Sequence, residues 1–374
     1  MSVIYSPPPS AGQPPSASRP PRRWRRALAI GTGSAVAASA AAGIALTAAG
    51  ASTQQVLTTA EITARTDPAV VDVVSALGYS RASAAGTGVV LTSNGEVLTN
   101  NHVVDSATSI RVTDVGNGRT YRAVVVGYDR TDDIAVLQLR GASGLTTATI
   151  GDSAAVRSGD KVVGIGNAGG RGGRPSAAAG TVTGLGRTIT ASDQAAGTSE
   201  QLTGVIRSSA GIRAGDSGGP LVNKYGQVVG IDTAASSSFH VQSGTDRTQS
   251  FAIPVNKALS IASKIEAAAS SATVHVGATA FLGVELSSAA GLAGNPASTG
   301  VTLAGVLSGS PAASAGLASG DEVVSVGGHS VASSADIQSV LERHHPGDTI
   351  SISWLDSSGQ NHSARVVLAA GPVG

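Results

Sequence analysis

The chain has 374 residues with a formal net charge of +1, and it contains no cysteine, so disulfides, thiolate metal sites, iron–sulfur clusters and a cysteine nucleophile are excluded. At about 150 residues per domain, this length predicts two domains. Residues 1–26 hold five arginines and no acid, so the remainder is net negative and we expect no nucleic-acid partner.

The N-terminal region predicts a tail followed by a membrane segment. Residues 1–26 are basic and rich in proline, which indicates a disordered arm. Residues 27–49 are uncharged, and as a helix they reach about 35 Å, enough to cross a hydrocarbon core of about 30 Å. We expect a single transmembrane helix at 27–49, a cytoplasmic tail and a linker at 50–64. Because Ala49 and Ala51 suit a signal-peptidase site, secretion after cleavage near Ala51 is the alternative.

The next region reads as β structure. Runs rich in Val, Ile and Leu alternate with Gly, Asn, Asp and Ser, as in GTGVVLT, SIRVTDV, RAVVVGYD, DIAVLQL, DKVVGIG and GQVVGID. Many short strands without helical windows between them favour an antiparallel barrel or sandwich. The segment after Pro254 has its apolar residues on one helical stripe, so a helix closes a domain spanning 65–268.

A second, smaller block follows at 277–371. FLGVEL, GVTLAGVL, DEVVSVGG, TISISWLD and SARVVLAA are strand candidates, and a helix is predicted over Ser334–Arg343 with Ser333 or Ser334 as its N-cap. The pattern predicts a separate β-rich module.

Two glycine motifs have weak functional interpretations. Gly164, Gly166 and Gly169 match GxGxxG after a strand, but no helix and no acidic residue follow where a dinucleotide site requires them. GDSGG also matches the nucleophile elbow GxSxG, yet a β pattern headed by Pro220 follows it instead of a helix. We expect a turn at the first motif and no elbow at the second.

His102, Asp133 and Ser217 occur in the chain order of chymotrypsin-like hydrolases. Each lies in its own strand-edge context, namely VLTNNHVV, DRTDDIAVLQL and GDSGGPLV. The other six histidines have no comparable setting. We therefore expect Ser217 to be a nucleophile, His102 its general base and Asp133 the carboxylate that orients the base.

The motifs together resemble the HtrA (DegP-like) family of trypsin-fold serine proteases with a PDZ domain. TGVVL, GIGN with GTVTGLGR, FAIPVN and FLGVEL add to the resemblance, which covers about residues 65–371. It implies a mostly β protein in which a chymotrypsin-like double β-barrel is followed by a PDZ domain. The basic tail and apolar segment are similar to those of membrane-anchored members in bacterial envelopes.

The resemblance also implies residue roles. The family motif has its carboxylate directly before Ile-Ala, which selects Asp133 over Asp132, Asp129 and Asp105. Gly215 and Ser217 are expected to donate their backbone N–H groups to the oxyanion. The family more often has asparagine at Asp216, and its partner is left open.

Two binding regions follow from the same resemblance. Gly211 and Ile212 stand at the base of the primary pocket, which predicts a preference for small or medium aliphatic side chains. A loop that captures a terminal carboxylate in PDZ domains corresponds to Phe281, Leu282, Gly283 and Val284.

The function expected is therefore a serine endopeptidase that acts on misfolded or signalling proteins. Its partners are polypeptide substrates, C-terminal peptides at the PDZ domain, the membrane through residues 27–49 and other copies of the chain in a trimer. No cofactor or metal site is expected. The alternative is a PDZ chaperone or scaffold on an inactive barrel.

Overall fold

A computed structural model of the protein describes residues 55–78, 82–193, 198–233, 249–271, 273–286 and 300–373, with backbone alone at 190–193 and 198–200. The predicted tail and membrane segment lie outside these residues. Within the described ranges, no helix has the length and apolar character needed to cross a bilayer.

The described chain opens with helix α1, Thr59–Thr66, inside the predicted linker. A reciprocal capping box explains why this short helix forms: Thr58 accepts the backbone N–H of Glu61, whose carboxylate accepts the backbone N–H of Thr58. Leu57 and Ile62 are buried against the second barrel described below. The folded region therefore begins earlier than residue 65.

The first barrel contains six strands. They are β1 (Val70–Leu77), β2 (Ala82–Val90), β3 (Glu96–Thr99), β4 (Ser109–Asp114), β5 (Thr120–Asp129) and β6 (Ile134–Leu139). Their order is β5-β4-β1-β2-β3-β6, and β6 pairs back onto β5 to close the barrel. A one-turn helix, α2 (Asn101–Val104), follows β3.

The second barrel is also closed, in the order β7-β8-β9-β12-β11-β10. Its strands are β7 (Lys161–Gly166), β8 (Ser176–Asp193), β9 (Thr198–Ser208), β10 (Pro220–Asn223), β11 (Val228–Thr233) and β12 (Ser250–Pro254). The long β8–β9 hairpin pairs from Val182 with Ser208 to Asp193 with Thr198.

Helix α3 (Val255–Glu266) seals the seam between the barrels. One apolar cluster joins the helix to strands of both barrels; it includes Val89, Leu98, Ile134, Ile231, Ile253, Val255, Ala258, Ile261 and Ile265. The predicted apolar stripe of this helix is confirmed. Because a single core spans both barrels, the loops at their shared edge are held in fixed relative positions.

A short strand, β13 (Val274–Val276), follows α3 and pairs antiparallel with the end of β5. The sequence pattern did not predict it. The connection to the C-terminal domain is therefore part of the first barrel.

The C-terminal domain has its own core. Its elements are β14 (Ala280–Phe281), β15 (Val284–Leu286), β16 (Val301–Val306), α4 (Pro311–Ala315), β17 (Glu322–Val326), β18 (His329–Ser330), α5 (Ser334–Leu341), β19 (Thr349–Leu355), β20 (Asn361–Val367) and β21 (Ala369–Ala370). The main sheet has the order β15-β16-β17-β19-β20, and β14 pairs with β21. Ser333 caps α5, as predicted.

Candidate active site

His102 and Asp133 form a close pair at the seam. His102 lies in α2, and its Nδ1 is 2.9 Å from Oδ2 and 3.0 Å from Oδ1 of Asp133. The backbone N–H of His102 also donates to Oδ1 of Asp133 at 3.0 Å. Because an ionised carboxylate only accepts hydrogen bonds, this contact places the imidazole proton on Nδ1 and leaves Nε2 as the basic nitrogen.

Asp133 is held in an unusual backbone conformation. Its φ is +51°, in the left-handed region that non-glycine residues rarely occupy. The Nδ2 of Asn100 donates to the Asp133 carbonyl at 2.9 Å, and Thr233 of β11 donates to Oδ2 at 3.2 Å. Both barrels therefore hold this residue, which is 2% exposed.

The rival acids have other partners. Asp132 forms an ion pair with Lys257 of α3. Asp129 accepts a hydrogen bond from Thr273. Asp105 ends α2, where burial raises its pKa and the charge of Arg130 partly offsets that effect. Of the four candidate acids, the structure brings Asp133 to Nδ1 of His102.

Ser217 lies on a loop packed directly against the first barrel. Its carbonyl accepts the backbone N–H of Thr87 at 2.8 Å. A Cβ built on Gly86 would lie 2.6 Å from both methyl groups of Val103 and 3.1 Å from the Ser217 carbonyl. Only the absence of a side chain at Gly86 lets the Ser217 loop and the His102 helix approach this closely. Ser217 is 5% exposed, whereas the His102 side chain is 45% exposed.

Gly215 occupies the turn before Ser217 with φ at +96°. Its carbonyl accepts the hydroxyl of Thr87 at 2.7 Å, and a Cβ at this position would overlap the Asn167 carbonyl. Gly169 donates its backbone N–H to the Ala214 carbonyl at 2.7 Å. The loop after β7 thus packs directly against the Ser217 loop.

This packing explains why glycines occupy the GxGxxG motif. A Cβ on Gly166 would lie 2.6 Å from the Cα of Asp216, and Gly169 adopts a φ of +78° in a 3-10 turn. The motif allows close packing and a turn, as expected from the sequence.

Asp216 has identifiable partners. Its carboxylate accepts the backbone N–H of Arg213 at 2.8 Å and the hydroxyl of Ser176 at 3.2 Å. Burial raises its pKa, and these hydrogen bonds oppose the rise. The residue closes the turn over Arg213–Asp216, so its role is to shape the loop before Ser217.

Gly211 and Ile212 lie on the same loop. Gly211 is exposed, with open space where a Cβ would stand, and Ile212 is half-buried beside Gly164. A Cβ at Gly164 would lie 2.9 Å from both the Ile212 Cγ1 and the Asp232 Oδ2. The carboxyl of Asp232 therefore lies close to the proposed pocket.

Asp232 is a residue that the sequence analysis missed. It is 0% exposed, and neither carboxylate oxygen has a hydrogen-bond partner within the described part of the chain. Burial, together with the nearby Asp216 carboxylate, raises its pKa well above the ordinary value. A buried acid on a strand rich in valine and isoleucine carries no local sequence signal.

The predicted carboxylate loop lies between β14 and β15 in the C-terminal domain. Gly283 has φ at +83°, its carbonyl accepts the N–H of Leu307 at 2.9 Å, and the Leu282 carbonyl accepts the N–H of Ala312 at 2.9 Å. Leu282 is buried, whereas Phe281 and Val284 are half-buried. The loop is thus anchored by its carbonyls at the end of an edge strand.

Comparison with known proteins identifies both halves of this architecture. The family model for the trypsin-like peptidase domain matches residues 86–231, and the model for the PDZ domain matches residues 280–360. The two models match in the order that the sequence motifs predicted. The chain has a trypsin-like peptidase domain followed by a PDZ domain, and HtrA- and DegP-type serine proteases are among its relatives.

Relatives support this placement. The chain is 37% identical over 287 residues to the probable periplasmic serine protease do/HhoA-like of Haemophilus influenzae, covering 76% of this chain and 58% of that protein. It is 32% identical over 323 residues to the serine protease PepD of Mycobacterium tuberculosis, covering 82% and 65%. It is 36% identical over 206 residues to the periplasmic serine endoprotease DegP of Escherichia coli, covering 55% and 40%.

These HtrA relatives are longer proteins. The chain spans between 40% and 65% of the lengths of the three compared here. The predicted mostly β, trypsin-like fold with a PDZ domain is confirmed at this level.

Proposed function

We propose that this chain is a serine endopeptidase that hydrolyses peptide bonds of misfolded or signalling proteins in the cell envelope. The observation that carries the proposal is the His102–Asp133 pair at the seam, beside the loop that holds Ser217. The order of these residues and the serine proteases among the relatives support it.

The reaction follows from the protonation state of His102. With the proton on Nδ1 directed at Asp133, Nε2 accepts the proton of the Ser217 hydroxyl as that oxygen attacks the peptide carbonyl. Asp133 then stabilises the imidazolium, which protonates the leaving amine. In the second half of the reaction, His102 accepts a proton from water as the water attacks the acyl group. His102 then returns the proton to Ser217, which releases the acyl group as a carboxylic acid.

The backbone N–H groups of Gly215 and Ser217 are proposed to stabilise the oxyanion. The hydrogen bond from Thr87 to the Gly215 carbonyl fixes the orientation of this turn in advance. In a comparable enzyme the loss of one such donor costs about 2.7–4 kcal/mol of transition-state stabilisation.

Replacement of the nucleophile tests the proposed activity. Ser217→Ala should abolish casein hydrolysis, since loss of the nucleophile lowers turnover by about 10⁶-fold in subtilisin. Wild-type activity should decline below about pH 6.5, because protonated His102 cannot accept the serine proton. Casein hydrolysis that persists in Ser217→Ala, or a pH profile that stays flat to pH 4, contradicts the proposal.

The primary pocket is proposed to take small or medium aliphatic side chains at Gly211 and Ile212. The carboxyl of Asp232 near this region is fully buried, and burial raises its pKa, so it does not present an exposed charge to a substrate side chain. Rapid cleavage after arginine with poor cleavage after valine in a peptide library would overturn this preference.

The PDZ domain is proposed to bind C-terminal peptides of substrates or regulators. Strand β15 is an edge strand, and its Val284 and Leu286 share an apolar cluster with Ile337 and Val340 of α5. A peptide added to β15 would lie over these side chains. Titration calorimetry should show weaker binding of an amidated peptide than of the same peptide with a free carboxylate; equal affinities would count against the proposal.

We propose an envelope location with the folded domains outside the cytoplasm and the membrane segment at residues 27–49. The lack of charge in that segment and the arginines before it support this arrangement. Carbonate extraction of membranes separates the anchored form from a product cleaved near Ala51. We also propose that the chain assembles as a homotrimer. Light scattering, which measures the molar mass of the assembly, tests this.

A further inference from the structure

Two loops carry the residues proposed for catalysis, and the C-terminal part of the chain contacts both. We infer that Glu342 of the PDZ domain and Val373, in the segment that follows this domain, are positioning residues for Asp133 and His102. The inference rests on the proposed function of that pair.

The first contact holds the loop between β5 and β6. The Nη1 of Arg130 donates to Oε1 of Glu342, the residue that caps α5, at 2.9 Å. Arg130 also accepts the backbone N–H of Asp133 through its carbonyl at 3.2 Å, which closes the turn that bears Asp133. The side chains of Arg130 and Glu342 are 20% and 27% exposed, so this pair is partly shielded from water.

Glu342 is itself held in place from the first barrel. Nδ1 of His275, in β13, lies 2.7 Å from the Glu342 carbonyl. The His275 ring is 5% exposed and stacks between Tyr128 of β5 and His345 of the PDZ domain, at centroid distances of 5.1 and 5.2 Å. The stack and the ion pair together fix the C-terminal end of α5 against the Asp133 turn.

Arg130 also lies near the helix that bears His102. Its charge lowers the pKa of Asp105, a half-buried residue that ends α2, whereas the charge of Glu342 raises it. The charge of Arg130 thus acts on an acid three residues after His102, while its guanidinium pairs with an acid of the PDZ domain. Both loops are linked electrostatically through Arg130.

The second contact holds the turn after α2. The N–H of Ser106 donates to the Val373 carbonyl at 2.5 Å, and the N–H of Val373 donates to the Ala107 carbonyl at 3.1 Å. Ser106 has φ at +58°, a conformation that needs outside support in a non-glycine residue. The Val373 side chain packs against the first-barrel cluster that contains Val103 and Val104. A short segment beyond β21 therefore holds the turn that follows His102.

These contacts predict that weakening either one slows chemistry without weakening ground-state binding. A displacement of about 1 Å in a catalytic group can cost about 10²-fold in rate. Because these variants should loosen the catalytic groups and not displace them, we expect the rate to fall by roughly 10-fold.

The experiment measures phosphonylation of Ser217 by a fluorophosphonate probe in the full chain, which requires no knowledge of the substrate. The variants are Glu342→Gln, Arg130→Met, their combination, and Val373→Ala. The matched controls are Asp356→Asn, which removes an ion pair with His362 inside the PDZ domain, and Val367→Ala, which truncates a valine that is 60% exposed.

The expected result is a maximal labelling rate about 10-fold lower in each test variant, with the half-saturating probe concentration and the melting temperature unchanged and both controls at the wild-type rate. The double variant should be no slower than Arg130→Met alone, because that variant has already lost the interaction with Glu342. Val373→Ile should keep the wild-type rate.

If every test variant is labelled at the wild-type rate, the inference is wrong, while the proposed function is unaffected. A slower rate that disappears when the data are corrected for unfolded protein also overturns it, because it assigns these contacts to stability. Failure of the wild-type chain to label overturns the proposed function and the inference with it.

Discussion

Gly215 has a backbone conformation and a position that together admit only glycine. Its φ of +96° costs a larger residue about 1–2 kcal/mol, and a Cβ would overlap the Asn167 carbonyl. Gly215→Ala should therefore displace the turn and lower kcat by at least about 10²-fold. Peptidase assays with kcat and KM measured separately check this prediction.

Gly159 provides the matched control. Its φ is +94°, but a Cβ there has no neighbour within 4 Å. Gly159→Ala should reproduce the backbone strain without the steric overlap and leave kcat unchanged. If both variants lost activity equally, the strain would be responsible and the proposed position of the oxyanion donor would be wrong.

Asp232 should make stability fall as pH rises. Burial raises the pKa of this acid in the folded chain, while the unfolded chain loses the proton near pH 3.9, so the folded state binds more protons as pH rises from about 3.9 to the folded pKa. Asp232→Asn removes this penalty without changing the side-chain shape. Its free energy of unfolding should match the wild type at pH 3.5 and exceed it at pH 8, because the wild type alone loses stability as pH rises through this range.

Denaturant unfolding at the two pH values measures this difference. An equal difference between the two proteins at both pH values would mean that the carboxyl has the same pKa in the folded and unfolded states.

The sequence motifs predicted the residues at the site better than they predicted what holds those residues. His102, Asp133 and Ser217 lie in recognisable local patterns. Thr233 and Asn100 contact Asp133 across distances of 100 and 33 residues, and no local pattern reports such contacts. The same limit applies to Asp232.

At the scale of elements, β3 and α3 meet through two carboxyl groups. Burial and the neighbouring carboxyl of Glu266 together raise the pKa of Glu96 to about 7. Because the unfolded chain loses this proton near pH 4.5, stability should fall as pH rises from about 4.5 to 7. Glu96→Gln should flatten that fall and raise the melting temperature at pH 8 by a few degrees, whereas at pH 4 it should match the wild type.

Thermal unfolding between pH 4 and pH 8 tests this contact. Glu285→Gln, which changes an exposed glutamate on β15, is the control and should follow the wild type throughout. A Glu96→Gln profile that parallels the wild type would show that the two carboxyl groups do not meet in solution.

Most elements follow from their own residues. Alternating and β-branched runs predicted most of the barrel strands, among them β2, β4, β5, β6, β7 and β11, and the apolar stripe and caps predicted α3 and α5. β13 has three residues and exists because it pairs with β5, so its formation depends on a partner about 145 residues earlier. Helix α1 does carry a local signal, the capping box at Thr58. It was not predicted, because its first residues were assigned to the linker.

At the scale of the whole molecule, the family and domain order could be predicted from motifs, but the arrangement of the domains could not. The contacts that fix it are an ion pair, a stack of three rings and a backbone pairing at Val373, each made of residues far apart in the chain. None has a periodic pattern. We propose that these contacts couple the PDZ domain to the His102–Asp133 pair at the seam.

The most direct test of the account is the identification of the residue labelled by a fluorophosphonate probe, by mass spectrometry of digested protein. The account predicts a single adduct on Ser217 and its loss in His102→Ala. An adduct on another residue, or undiminished labelling of Ser217 in His102→Ala, would contradict the claim that the His102–Asp133 pair activates this serine.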